Sequence, residues 1–329
     1  MSSLFPLSLL MGLILGVSAH RAGLCTVKAV AEVMTSRRGW VLWSFLKASL
    51  WIAGLTALAG VAGIGIGLRQ WPLQWQGLLG GLIFGLGAGA NGACSFSTLT
   101  RLAEGHGEML FTLAGWPLGM AGLHQLLPNL HRMPDPAAPL PGWVLLGLGP
   151  WMAWEAGKIL RRLRADGWGQ LRAAHWPLSL SVALVAVANF GILASGGSWS
   201  FTSTLICAAG AAPLANCAHA AFLWLVSLAA LAGMLGSALV RGSFRLRRIR
   251  AAAALRHGLS GVAMGVGAVL LPGGNDGLIL FGLPALSPHA LPGGIAIVVG
   301  TALALAVLRL LGRPIAVVRC EADICRASM

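Results

Sequence analysis

Apolar runs of membrane-spanning length recur along this chain, separated by short polar or basic stretches. Nine can be drawn at about 4–20, 41–66, 77–91, 108–127, 142–158, 177–195, 219–240, 257–271 and 290–311, near the ~20 apolar residues a bilayer-crossing helix needs. Within the third run, Gly81, Gly85 and Gly89 fall four apart. That spacing puts bare backbone on one helix face, so a second helix can approach closely in a membrane. Asn91, Gly92, Ala93 and Cys94 then interrupt the run with small and polar groups. A broken helix at membrane depth is tolerated only where it is buried in protein or lines a wet cavity. The eighth run repeats the pattern 180 positions later: Gly85-x-Gly87-Ala88 matches Gly265-x-Gly267-Ala268, with Gly273, Gly274 and Asn275 following. Paired glycine-interrupted segments in two halves of a chain point to a transporter's substrate site.

Basic residues set the expected orientation. Arg37 and Arg38 follow the first run. Lys158, Arg161, Arg162, Arg164 and Arg172 follow the fifth. Arg241, Arg245, Arg247, Arg248 and Arg250 follow the seventh, and Arg309, Arg313 and Arg319 the ninth. Positive charge collects on the cytoplasmic side, so the N-terminus is expected outside and the C-terminus inside. Runs 1–4 and 6–9 form two four-span units with run 5 between them; equivalent positions are five spans apart, an odd number, which turns one unit upside down relative to the other. The predicted architecture is an all-α integral membrane protein with two inverted repeats and re-entrant helices. Its parts are a first repeat over 1–127, a Pro-rich external loop, linker span and basic loop over 128–176, a second repeat over 177–311, and a cysteine-containing cytoplasmic tail over 312–329. Gly23-Leu24-Cys25-Thr26 lines up with Trp199-Ser200-Phe201-Thr202, giving four interrupted segments, two per repeat.

Composition agrees. Of 329 residues, 57% are hydrophobic and 10% charged, against about 25% charged in a soluble domain; mean hydropathy is +0.80. With thirteen Trp and no Tyr, Trp alone supplies the interfacial belts. The formal charge of +14 fits cytoplasmic loops and also a field that draws an anion towards a pore. It does not indicate nucleic-acid binding, because no recognition module accompanies it.

The interrupted segments carry the chemistry. Cys25 and Cys94 sit in Gly-flanked breaks, where a neutral thiol donates a weak S–H hydrogen bond and offers a polarisable contact. Thr26, Asn91, Ser95, Thr98, Gly274 and Asn275 share those breaks, and Arg21, Lys28 and Arg101 are the nearby cations that would attract an anion. Ser95, Ser97 and Thr98 also cap a short helix running to Arg101, and exposed N–H groups at such a start bind anions. Asp276 is either an intramembrane acid with a role or a loop residue. Cys207 and Cys217 are either a disulfide or two reduced thiols. The tail, with Cys320 and Cys325, is either a frayed end or a sulphur-relay or redox pair. The histidines show no metal-site spacing, and no phosphate loop, dinucleotide fingerprint or hydrolase nucleophile elbow is present. The expectation is therefore a non-enzyme without metal or cofactor.

At these motifs the sequence resembles the YeeE/YedE sulphur-transport family of bacterial inner-membrane proteins, whose characterised members take up thiosulfate. The resemblance runs over about residues 9–310. It rests on Gly80-Gly81-Leu82-Ile83-Phe84-Gly85-Leu86-Gly87 leading to Gly92-Ala93-Cys94, on Arg21-Ala22-Gly23-Leu24-Cys25, and on Gly261-Val262-Ala263-Met264-Gly265-Val266-Gly267-Ala268. It implies nine spans in an hourglass, a bilayer setting, and cysteines that pass thiosulfate or a related sulphur anion by S–H contacts, with a cytoplasmic sulphur carrier or regulatory protein as a further partner. The family's third motif reads Gly-Cys-Asn; here it is Gly273-Gly274-Asn275, so the third cysteine is missing. Losing one such donor costs up to about 1.5 kcal/mol, or roughly tenfold in affinity. The expected function is uptake of a small sulphur-containing anion past Cys25 and Cys94. The alternative is a sensor that binds this anion but conducts it poorly.

Overall fold

The computed structural model describes residues 5–128, 135–167, 169–211, 215, 217–321 and 323–328; residues 129–134, in the first half of the expected Pro-rich external loop, lie outside them. The chain is predominantly helical: α1 (Phe5–Ala22), α2 (Thr26–Ser36), α3 (Trp40–Val61), α4 (Trp75–Asn91), α5 (Ser95–Ala103), α6 (Met109–Leu126), α7 (Val144–Asp166), α8 (Gly169–Arg172), α9 (Leu178–Gly196), α10 (Phe201–Ala208), α11 (Ala220–Arg241), α12 (Ala251–Leu270), α13 (Gly274–Gly277) and α14 (Ala290–Leu310). Strands β1 (Val317–Glu321) and β2 (Ile324–Ser328) close the chain as an antiparallel hairpin.

Among the described residues, seven stretches are long and apolar enough to cross a bilayer: Phe5–Ser36, Trp40–Val61, Trp75–Ala103, Leu178–Gly196, Cys217–Arg241, Ala251–Leu270 and Ala290–Leu310. The fourth and fifth expected spans form as the helices α6 and α7 but fall outside that set. Trp116, Pro117, His124 and Gln125 dilute the apolar content of α6, and α7 carries Glu155, Lys158 and Arg161. Glu155 is nonetheless buried. Its Oε1 accepts from Lys47 Nζ of α3 at 2.7 Å, and the same ammonium donates to Ser179 of α9 at 2.6 Å. That three-way contact ties α7 to its neighbours, because breaking a buried pair leaves an uncompensated charge.

α1 and α4 stop by the same local device. Gly23 (φ 62°) and Gly92 (φ 71°) adopt the left-handed conformation, which glycine enters without a Cβ penalty. The next N–H groups, of Leu24 and Ala93, return to the carbonyls of Ala19 and Ala88 at 3.2 Å, closing the helix end in the Schellman manner. One residue later the backbone is extended at Cys25 and Cys94, which are the N-caps of α2 and α5. A Gly-apolar-Cys-Ser/Thr sequence is thus a helix stop followed at once by a helix start. In the second half Ser200 N-caps α10 and Gly273 precedes α13. The N-cap position that Cys25 holds in α2 is held in α10 by Ser200, one position before the Phe201 that the sequence alignment pairs with Cys25.

The glycine stripes do bring helices into backbone contact. A Cβ on Gly85 would lie 2.3 Å from the Ile297 carbonyl oxygen of α14, and one on Gly265 would lie 2.0 Å from the Trp116 carbonyl oxygen of α6. Gly87 closes on α12 and Gly267 on α4. α4 accordingly packs on α14 and α12, α12 on α6 and α4, α1 on α11 and α9, and α9 on α3 and α1. Exchanging α1 with α9, α3 with α11, α4 with α12 and α6 with α14 maps this set of neighbours onto itself. Aromatic side chains fill the centre around the breaks. Phe96 meets Phe201 edge-on at 5.9 Å, Trp199 meets Phe201 at 4.8 Å, and Phe84 meets Trp116 at 6.0 Å, each a favourable edge geometry.

Candidate functional site

The four breaks meet in the centre of the helix assembly. Cys25 and Cys94 are both free thiols, and both are buried, Cys94 completely. Their helices are interlocked. The Thr26 N–H, in the first turn of α2, donates to Cys94 Sγ at 3.3 Å. Ser97, in the first turn of α5, accepts the Cys94 N–H at 2.8 Å and donates to Cys25 Sγ at 2.9 Å. Each sulphur therefore lies at the N-terminus of a short helix and takes a hydrogen bond from the other helix. First-turn N–H groups have no partner within their own helix, so this arrangement satisfies one donor of each and aims both helix starts at the thiols.

The second half supplies the opposing groups. Asn275 Oδ1 accepts from Ser95 Oγ at 2.5 Å, and its Nδ2 donates to Thr26 Oγ1 at 3.1 Å, joining three of the four breaks. Asp276 is fully buried rather than a loop residue. Its Oδ2 accepts the Thr202 N–H at 3.0 Å and its Oδ1 accepts the Thr202 hydroxyl, so it caps α10 from a neighbouring segment. Gly274 (φ 55°) is a tight and strained position for a side chain, since a Cβ there would meet Thr202 Oγ1 at 3.1 Å and Phe84 at 3.2 Å. Thr202 fills the space beside the position of the missing thiol.

Asn91 and Thr98 have a supporting role in this arrangement. Asn91 Nδ2 donates to the Ala93 carbonyl at 3.0 Å and to Thr98 Oγ1 at 3.1 Å, bracing the Gly92 break from within. Its Oδ1 accepts from Thr112 Oγ1 at 2.8 Å and from His257 Nδ1 at 2.6 Å. An amide oxygen can only accept, so His257 carries its proton on Nδ1, leaving Nε2 to accept from Arg256 at 3.1 Å.

Two cavities flank this centre and share no lining residue. One, of about 490 Å³, is lined by Cys25, Lys28, Ser97, Arg101, Arg241 and Arg256 among others. The other, of about 470 Å³, is lined by Arg69, Ser198, Ser200, Ser203, Gly273 and His289 among others. A third, of about 450 Å³, opens between α3 and α14; apart from Thr26 and Asn275 its lining is apolar, as befits a crevice facing lipid. The first cavity is strongly electropositive. Among the described residues that line it, Glu104 is the one acid, 3.3 Å from His20. Burial pushes the Glu104 carboxyl up, but the hydrogen bond and charge of His20, with Arg241 beyond, outweigh it and hold the group below the usual range. Burial first, then the charges of Arg241 and Lys28, lower His175 to about 4.

Of the cations expected near the breaks, Lys28 and Arg101 reach this cavity, whereas Arg21 does not line it. The Arg21 guanidinium is spent on Ser237 Oγ at 2.8 Å and the Ala173 carbonyl at 2.6 Å. Arg241 reads in sequence only as one of the basic charges after the seventh run, and Arg256 carries no signal there; both line the cavity that Cys25 also lines. Ser97 was legible as a cap but not as the group linking two thiols. Cys207 and Cys217 are joined as a disulfide, and so are Cys320 and Cys325; the tail is a folded hairpin docked on α2.

The family model described as sulphur transport matches residues 21–303. None of the curated proteins matches the chain.

Proposed function

The chain belongs to the sulphur-transport family, and from that premise we propose that it takes up a small sulphur-containing anion, most specifically thiosulfate, past Cys25 and Cys94. One observation carries the reading: two free, buried thiols at facing helix N-termini, with one of them opening on an electropositive cavity. Thiosulfate offers a soft terminal sulphur, which a thiol meets at a smaller desolvation cost than a fixed charge demands. Its oxyanion end suits helix N-termini and the cation-rich cavity. The path runs from the cavity at Ser200 and Gly273, through Asn275, Ser95 and Cys94, to Cys25 and the cavity at Lys28. Movement through a closed, hydrogen-bonded centre requires Ser97 and Asn275 to exchange their present partners for the anion.

The same reading takes the mirrored helix neighbours as two inverted repeats, with α6 and α7 completing nine spans and α7 as the linker. This reading puts the cavity at Lys28 on the cytoplasmic side of an inner membrane, the N-terminus outside and the C-terminus within, and the basic clusters support it. The positive cavity then retains an anion arriving from outside, and a cytoplasmic sulphur carrier is a fitting recipient. Cells lacking other thiosulfate routes should gain thiosulfate-dependent growth from this chain, and Cys94→Ala should abolish the gain. Growth that persists in Cys94→Ala would remove Cys94 from the path.

A second reading, a sensor that binds without conducting, draws on Gly274. The third thiol is absent and Thr202 occupies its surroundings, which leaves the approach from the Ser200 side without a sulphur contact. This reading expects thiosulfate binding by the purified chain with no flux.

A further inference from the structure

The C-terminal hairpin is built around a cystine. Cys320 and Cys325 are directly opposite in the β1–β2 register and are disulfide-bonded. Both sulphur-bearing residues are buried against α2, while Arg319 and Glu321 face outwards. A lone two-stranded hairpin is marginal in water, so its order depends on this link and on docking. Lys28 Nζ donates to the Cys325 carbonyl at 3.1 Å, and the Ser36 hydroxyl donates to the Val318 carbonyl. Cys320 Sγ lies 3.4 Å from Glu32 Oε1, whose carboxylate also accepts the N–H groups of Trp40 and Val41 at the start of α3. On the far side, Asp323 accepts the Leu178 and Ser179 N–H groups at 2.7 and 2.8 Å. All three α2 contacts belong to the helix whose N-cap is Cys25. Residues 313–316 and Ala327 form part of the wall of the electropositive cavity.

The two disulfides lie at opposite ends of the helix assembly. Cys217 precedes α11, whereas Arg241, at the other end of that 22-residue helix, lines the cavity together with Ala327; the helix separates them by about 33 Å. With the orientation given above, Cys207–Cys217 faces an oxidising compartment and Cys320–Cys325 a reducing one. A disulfide on the reducing side is characteristically transient, either catalytic or redox-sensing.

We propose that Cys320–Cys325 is a redox-active disulfide, exchanging with a cytoplasmic dithiol reductant, and that its state sets access to Cys25 through α2. The inference rests on the transport reading for its sidedness alone. A reductant thiolate attacks one of the two sulphurs, the Cys320–Cys325 bond breaks and a mixed disulfide forms. The second reductant thiol displaces the remaining link. Two electrons and two protons end on Cys320 and Cys325 as two thiols, and the reductant leaves as its own disulfide. Reduction removes the cross-strand link and places an S–H donor beside Glu32, in competition with the Trp40 and Val41 N–H groups. The hairpin loosens, Lys28 is released from the Cys325 carbonyl, and the cavity mouth opens.

The test uses the full chain in detergent, equilibrated in graded reduced and oxidised dithiothreitol. Peptide mass spectrometry after alkylation reads each cysteine separately. Cys320–Cys325 is expected to reduce reversibly under conditions that leave Cys207–Cys217 intact, and alkylation of Cys25 by a bulky maleimide to accelerate about tenfold on that reduction. The double variant Cys320→Ser, Cys325→Ser should hold the fast rate whatever the redox buffer. Reduction of the pair only together with Cys207–Cys217, or a Cys25 rate changing less than twofold in the native chain, overturns the proposal. Neither readout depends on flux, so a chain that fails to carry thiosulfate still decides the matter. If the double variant does not fold, the native titration and its Cys25 rate suffice.

Discussion

Ser97 Oγ donates to the Cys25 sulphur across 2.9 Å. The same oxygen accepts the Cys94 N–H at 2.8 Å, so one hydroxyl fixes the spacing of two helix starts and of the two thiols they carry. Ser97 follows Cys94 by three residues, the ordinary reach of a first-turn cap. Its other partner is 72 positions away in sequence. A local cap and a long-range contact between two helix starts thus depend on a single side chain.

Removing that hydroxyl should have two separable effects. Ser97→Ala loses a cap, which lowers stability by about 1 kcal/mol, and also frees Cys25 from its donor. Thermal unfolding in detergent reads the first effect, and thiosulfate flux, expected to fall severalfold, reads the second. Ser97→Thr keeps the oxygen and should retain most of both. A Ser97→Ala chain with unchanged flux would show that the hydroxyl serves stability alone.

Restoring a thiol at 274 is not a simple repair. Gly274 has φ 55°, and a Cβ would press on Thr202 Oγ1 and Cγ2 at 3.1 and 3.3 Å. A side chain held in the left-handed region costs about 1–3 kcal/mol. Gly274→Cys alone should therefore lower the melting temperature and fail to raise flux. Adding Thr202→Ser removes Cγ2 while keeping the hydroxyl that bonds Asp276, and should recover part of the lost stability. Melting curves of the single and double variants check this.

Asp276 anchors α10 through Thr202. Asp276→Ala would leave the Thr202 N–H and hydroxyl buried without that acceptor, at a cost of about 1–3 kcal/mol for each unmet group. Asp276→Asn keeps one acceptor and should lose less. Equal destabilisation by the two variants, measured by thermal unfolding, would contradict the capping role.

Acid should weaken the fold through His175. Burial and the Arg241 and Lys28 charges lower this group to about 4, below the ordinary value of about 6.5. Between those limits the unfolded chain binds the proton and the folded chain does not, so stability is complete above about pH 6.5 and falls as pH drops towards 4. His175→Gln should flatten that part of the stability profile. A parallel loss in the variant would assign the acid sensitivity to other groups.

Much of the frame was legible in the sequence because helix stops and close approaches use glycine for a physical reason. The Gly81, Gly85 and Gly89 stripe foretold the contact with another helix, and Gly23 and Gly92 marked the breaks before the two cysteines. What was not legible depends on long-range placement. Asn275 meeting Ser95 and Thr26, Arg241 and Arg256 lining one cavity with Cys25, and Arg21 turning aside to Ser237 all join residues with no local signal. Whether Asp276 was buried turned on Thr202, 74 positions away. The tail misleads by composition, since its polar residues alternate with Val318, Cys320 and Cys325, which face inwards as a strand pattern only once α2 is there to receive them. The one-residue slip between Phe201 and Ser200 has the same origin, because an N-cap is set by backbone geometry and not by matching letters.

The central claim is that Cys25 and Cys94 carry the anion. Radiolabelled thiosulfate uptake into proteoliposomes, comparing the native chain with Cys25→Ala and Cys94→Ala at matched reconstitution and melting temperature, tests it most directly. The account predicts saturable uptake by the native chain that is lost in both variants. Native uptake surviving in either variant would take that thiol off the path, and absence of uptake in the native chain with thiosulfate still bound would replace the transporter by the sensor.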